Sequence, residues 1–127
     1  MPDNAKTPFP YDTRLDVLCG PLEVVDVPRV VAGVTHPWFN QTLCRVNESV
    51  VRLGVVKGEY HWHQHDDLDE FFYVVEGRFL IDLDGRTVEL GPRQGFVVPK
   101  GVRHRTRSPE RSVILMVEGA GIVPTGD

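Results

Sequence analysis

Hydrophobic residues along this chain come in short runs between polar turn signals, and no window keeps a long 3.6-residue period. The runs read as strands. "LEVVDV" is a weak strand ended by Pro28, and "RVVAG" is ambiguous between a helical turn and a strand. "FNQTLCRV" and "SVVRLGVV" follow around Asn47-Glu48. In the second, Val51, Leu53 and Val55 alternate with Arg52 and Gly54, the period of two that marks a strand. "EFFYVV" and "FLIDL" join at Glu76-Gly77, and "FLIDL" and "TVEL" at Asp84-Gly85, where glycine accepts the positive φ of a tight hairpin turn. "GFVVP", "VRHRTR" and "SVILMVE" complete the series, with Ser108-Pro109 separating the last pair. Many short strands with regular turns predict an all-β sandwich or barrel. "FFYVV" and "VILMV" are apolar on both faces. One face must fill the barrel, and the other needs a second sheet or a partner subunit, so a homodimer is expected.

A chain of 127 residues leads to one domain. Residues 1–20, with Pro2, Pro8 and Pro10 early on, read as an N-terminal arm, partly flexible. Residues 21–127 read as a single barrel domain. Hydrophobic residues at 41% and charged residues at 25% are globular proportions and argue against disorder. A net charge of −4 offers no basic face to nucleic acid. No apolar run approaches the ~18–20 residues that span a bilayer, and the N-terminus lacks a signal peptide's apolar core. A cytoplasmic protein without membrane or nucleic-acid partners is expected. Cys19 and Cys44 have no motif spacing and read as free thiols.

The candidate chemistry lies in "GEYHWHQHDDLDEFFYVVEG". On a strand, His61, His63 and His65 point to one face, and Tyr60, Trp62 and Gln64 to the other. Without a bulge at Gly58, Val51, Leu53 and Val55 share the histidines' parity, which makes that face the interior. Three interior imidazoles have many polar atoms to satisfy, and a metal ion does so well. Glu70 opens the next strand, with Phe72 and Val74 on its face. Asp66, Asp67 and Asp69 read as solvated loop charges, Asp69 being the best placed to support a ligand. His104 follows the Pro99–Gly101 corner, with Thr106 on its face, while Arg103, Arg105 and Arg107 have the opposite parity and read as a solvated or interface-facing row. His36 sits near a turn and reads as unrelated.

"HWHQHDDLDEFFYVVEG" followed by "PKGVRH" resembles the two motifs of the cupin superfamily. His63, His65, Glu70 and Gly77 match the first motif; Pro99, Gly101 and His104 match the second. Three positions depart. Gly58 stands one residue nearer His63 than usual. Arg93 takes the place of a glycine whose turn Gly95 could supply, and Ser108 stands where the motif ends in Asn. The resemblance implies an antiparallel double-stranded β-helix, a jelly-roll barrel. It also implies a divalent metal held by His63, His65, Glu70 and His104. Three imidazoles and a carboxylate suit Fe, Mn, Ni, Zn or Cu without choosing among them.

His61 is left over, either a wall residue that hydrogen-bonds a ligand or a general acid or base. Glu59, Phe72, Val74 and Thr106 are the candidate pocket residues. The function expected is a metal-dependent enzyme on a small molecule, of the dioxygenase or the isomerase and lyase type. The alternatives are a non-catalytic small-ligand-binding module and a closed structural zinc site.

Overall fold

The computed structural model describes residues 10–126. The elements are β1 (Asp12–Arg14), α1 (Val27–Ala32), β2 (Trp38–Val46), β3 (Ser49–Glu59), β4 (Glu70–Glu76), β5 (Phe79–Leu83), β6 (Arg86–Leu90), β7 (Gly95–Val98) and β8 (His104–Gly119). β1 pairs parallel with β2, and every other pairing is antiparallel. Residues 1–9 of the expected arm lie outside the described residues. Its continuation belongs to the sheet: Asp12–Arg14 extend the edge beside β2.

The strands run in the order β1-β2-β3-β8-β4-β7, and the β5–β6 hairpin attaches to the start of β8. β8 therefore serves two partners along one edge: His104–Arg107 pair with β5, and Val113–Glu118 pair with β4. The turn signal at Ser108-Pro109 predicts a break between strands. Instead β8 continues through these residues with a bulge, because the register against β3 jumps from Ser112 opposite Val56 to Ser108 opposite Gly58. A bulge is where a strand tolerates proline, which has no N–H for the ladder. The result is the predicted double-stranded β-helix.

Two hydrophobic clusters lie on opposite faces of this sheet. The inner one packs Trp38, Val56, Tyr60, Phe72, Val74, Phe79, Ile81 and Ile114, among others, inside the barrel. The outer one holds Phe39, Leu43, Leu53, Val55 and Val113, with Val27, Val30 and Val31 of α1 laid against it. "LEVVDV" is thus not a strand. Pro28 does not end one either; it opens α1, where its fixed φ suits the first turn, and Asp26 caps the helix by accepting from Arg29 N at 3.2 Å. α1 supplies some of the cover that the sequence pattern demanded. Over β4, β7 and the end of β8 the outer face is open: Phe71 lies between Val97 and Val117, which are 48% and 40% exposed.

Candidate metal centre

Gly58 has φ 108°, and the β3–β8 register shifts between Val56 and Gly58. That bulge overturns the expected parity. Leu53 and Val55 face the outer cluster, whereas Arg52 and Val56 face the barrel cavity. Tyr60, expected outside, is buried in the inner cluster. Trp62 does lie outside, under the guanidinium groups of Arg103 and Arg105 at 4.9 and 5.5 Å. Arg105 and Arg107 are not simply solvated: both donate to Asp82 of β5.

Beyond Glu59 the chain leaves regular pairing but stays tied to β8. Tyr60 N donates to Thr106 O, and His63 and His104 exchange two backbone hydrogen bonds at 2.9 and 2.8 Å. His65 O accepts from Gly101 N at 2.7 Å, and Asp69 accepts from Lys100 N at 2.9 Å. These bonds lock the histidine segment onto the Pro99–Gly101 corner. Asp69 works through that corner, not through a ligand side chain.

The outcome is convergence. One ligand atom from each of His63, His65, Glu70 and His104 lies within 4.8 Å of the others, and all but His63 are fully buried. Glu70 Oε1 is 3.3 Å from His65 Nε2 and 3.5 Å from His104 Nε2. Neither Glu70 Oε1 nor His104 Nε2 has a hydrogen bond of acceptable geometry, although both are buried. Orphaned lone pairs aimed at a common point are costly unless something binds there. This donor set fits a metal ion, and the ligand types leave its identity open.

Backbone carbonyls orient two of the rings. His63 Nδ1–H donates to His61 O at 3.0 Å, and His104 Nδ1–H donates to Val102 O at 2.9 Å. Each bond leaves Nε2 with its lone pair for a ligand contact. Burial, reinforced by neighbouring His104, lowers His63 to about 4, so the ring is neutral at physiological pH. Burial would raise Glu70, but contacts with His104, His65 and Glu118 outweigh it and hold the carboxyl below its ordinary value.

His61 is oriented the opposite way. Its Nε2–H donates to Thr125 O at 2.6 Å, and its Nδ1 accepts from the Tyr11 hydroxyl at 3.1 Å. Both ring nitrogens are engaged, and neither is aimed at the four donors. Tyr60 donates to Pro124 O at 3.1 Å. Tyr11, Tyr60 and His61 stack, and together they hold the C-terminal segment across the mouth of the site. Sequence reading missed Tyr11 and this segment, since they are far from the motifs in sequence and carry no spacing signal.

A cavity opens beside the donors, lined by His63 and Glu70 and by Trp38, Val56, Tyr60, Phe72, Thr106 and Met116; Asn40, Arg52 and Glu118 make it polar at another side. It is narrow, with about 30 Å³ open to the centre of a water-sized group. Phe72 and Thr106 reach it, as their parity with Glu70 and His104 predicts. Val74 is packed in the inner core. Glu59 is exposed on the outside, paired with Arg105 at 3.3 Å. His36 is remote from the group; its Nδ1 accepts from Trp38 N at a turn. Cys19 and Cys44 are free. Among the described residues, no helix is long and apolar enough to cross a membrane.

Residues 50–118, more than half of the chain, match the model of the cupin domain family Cupin_2. The chain is a cupin. It is 49% identical over 80 residues to the uncharacterized protein YdbB of Bacillus subtilis, covering 62% of this chain and 71% of that one. It is 50% identical over 79 residues to polyketide synthase CurC of Streptomyces cyaneus, covering 62% of this chain and 45% of CurC. The match thus spans less than half of that relative. Among solved structures, a cupin-2 domain protein from Shewanella frigidimarina superposes with a TM-score of 0.72 at 29% identity, over 76% of this cupin and 94% of that chain. Protein NMB1881 of Neisseria meningitidis gives 0.70 at 26%, over 76% and 99%.

Proposed function

We propose that this cupin is a metal-dependent enzyme acting on a small molecule, with His63, His65, Glu70 and His104 as the ligands of one divalent transition metal. One observation carries the reading: the four donors converge, and two of them, His63 and Glu70, line a cavity instead of being sealed in packed core. A closed structural zinc site would have no use for that opening. On a six-coordinate ion, four protein ligands leave two positions for water, oxygen or substrate. An ion there supplies Lewis-acid or redox chemistry, according to its identity.

The chain's own residues shape the rest. Phe72 and Thr106 contact a molecule in the cavity, Tyr60 and the Pro124 segment shield it from water, and His61 holds that segment in place. The name of the Streptomyces relative, polyketide synthase, assigns that protein to small-molecule synthesis and favours an enzyme here too. Oxygenase and isomerase or lyase chemistry are distinguished by whether a redox metal is bound. We also place the protein in the cytoplasm as a homodimer, the open Val97–Phe71–Val117 row supplying the contact.

Metal analysis of protein purified without added metal tests the reading, with oxygen uptake and a substrate panel to follow. About one equivalent of metal is expected in the wild type, and its loss in the His63→Ala, His104→Ala double variant. Unchanged metal content in that variant would refute the assignment. A non-catalytic module that stores or senses a small ligand is the second reading, favoured by the closeness of the C-terminal segment to the mouth. A retained ligand with no turnover under any metal would select it.

A further inference from the structure

The inference rests on the metal reading above and concerns the polar side of the same cavity. Arg52 reaches it from β3 and is only 5% exposed. Its Nη1 donates to Glu118 Oε2 at 2.9 Å. Arg52 Nε and Glu118 Oε1 are both buried without a hydrogen-bond partner. A guanidinium N–H without an acceptor is a costly thing to bury, and the nearby cavity wall of Trp38, Phe79, Ile114 and Met116 is apolar. Glu118 in turn stands directly across from Glu70 in the β4–β8 register. The Arg52–Glu118 pair therefore lines the same small space as His63 and Glu70.

Charge defines what that space accepts. A divalent ion outweighs Glu70 by one charge, imidazoles that ligate a metal are neutral, and Glu118, in either protonation state, does no more than cancel Arg52. At least one positive charge remains inside a largely apolar barrel, where it is poorly screened. A ligand bringing one negative charge offsets it, and an oxyanion also gives Arg52 an acceptor. We propose that the site takes a small mono-anionic oxygen acid, a carboxylate or enolate with a short apolar body, held between the metal and Arg52. The narrow cavity sets the size, and Arg52 is the residue that selects for the charge.

Pyruvate and pyruvamide have nearly the same shape and differ in charge, so they serve as probes. Cobalt(II)-loaded protein is titrated with each, binding is followed by calorimetry and the visible cobalt spectrum, and cobalt content is measured separately. Pyruvate is expected to bind at least about ten-fold more tightly than pyruvamide. Arg52→Lys should keep some of that preference. Arg52→Gln should lower the ratio at least about three-fold with cobalt content unchanged. If Arg52→Gln does not fold, the Arg52→Gln, Glu118→Gln double variant, which strands no buried charge, is read in its place; its ratio should fall in the same sense, the metal's own charge keeping it above one. Cobalt bound with a wild-type ratio near one, or a preference undiminished by loss of Arg52, overturns the anion site alone. No cobalt uptake by the wild type overturns the metal reading and the anion site with it.

Discussion

At the scale of single residues, hydrogen bonds to the ring nitrogens separate histidines that look equivalent along the chain. His63 and His104 spend Nδ1–H on carbonyls and keep Nε2 for the centre, whereas His61 uses both nitrogens on Tyr11 and Thr125. His61→Ala should therefore leave metal content unchanged while loosening the C-terminal segment. Metal analysis and limited proteolysis of the C-terminus check the two halves; loss of metal would count against this role. Arg93 makes a second case. It sits at φ 67°, and its N–H donates to Val74 O, so it takes the turn conformation itself. Gly95, the sequence candidate for this turn, is needed for a different reason: a Cβ there would come within 2.7 Å of the Phe71 ring. Arg93→Gly should raise stability by about 0.5–1 kcal/mol by relieving the left-handed backbone, read as a higher melting temperature.

At the scale of elements, β8 decides the architecture, because its bulge at Pro109 lets one strand pair with β5 at its start and β4 at its end. Asp82 of β5 fastens the start of that strand by accepting from Arg105 and Arg107. Hydrogen bonding from Arg107 is the main reason that the Asp82 carboxyl lies below its ordinary value of 3.8. A depressed carboxyl contributes stability that is complete above the unfolded value and is lost as pH falls through the lower folded one. Asp82→Asn should thus cost about 1–3 kcal/mol near neutral pH. The gap from wild type should shrink as the solution is acidified below 3.8. Urea unfolding at neutral and acid pH measures it, and an equal cost at both would show that charge is not the cause.

For the whole molecule, metal and fold are linked. A metal that binds only the native state stabilises it by about 2.7 kcal/mol at a hundred times its dissociation constant. For a chain of this length that is roughly 10 °C in melting temperature. Chelation followed by calorimetry should show such a drop, and the His63→Ala, His104→Ala variant should show none. Protons act on the metal-free protein in a predictable sense. His63 binds a proton only near 4 when folded but near the ordinary 6.5 when unfolded. Between those values the unfolded state holds more protons, so stability rises with pH across the window and falls by a few kcal/mol on acidification through it. His63→Ala should flatten that slope.

Much of this protein is legible in local sequence. Alternation and turn residues predict the strands, because a strand's period and a hairpin's φ requirements act over a few residues. The histidine and glutamate spacing resembles the cupin motifs, and in the structure those four side chains do converge. Other features depended on contacts between distant segments. "VPRVVA" became a helix because a sheet face needed covering, and local propensity alone left it ambiguous. The bulge after Val56 moved Tyr60 inward and Leu53 and Val55 outward, since one extra residue inverts every side chain beyond it. The placement of Arg52 and Glu118 in the cavity, and of Tyr11 and Thr125 around His61, followed only when strands far apart in the chain were brought together. Spacing within a segment could nominate the donors; which nitrogens face the centre, and what stands opposite them, is decided by tertiary packing.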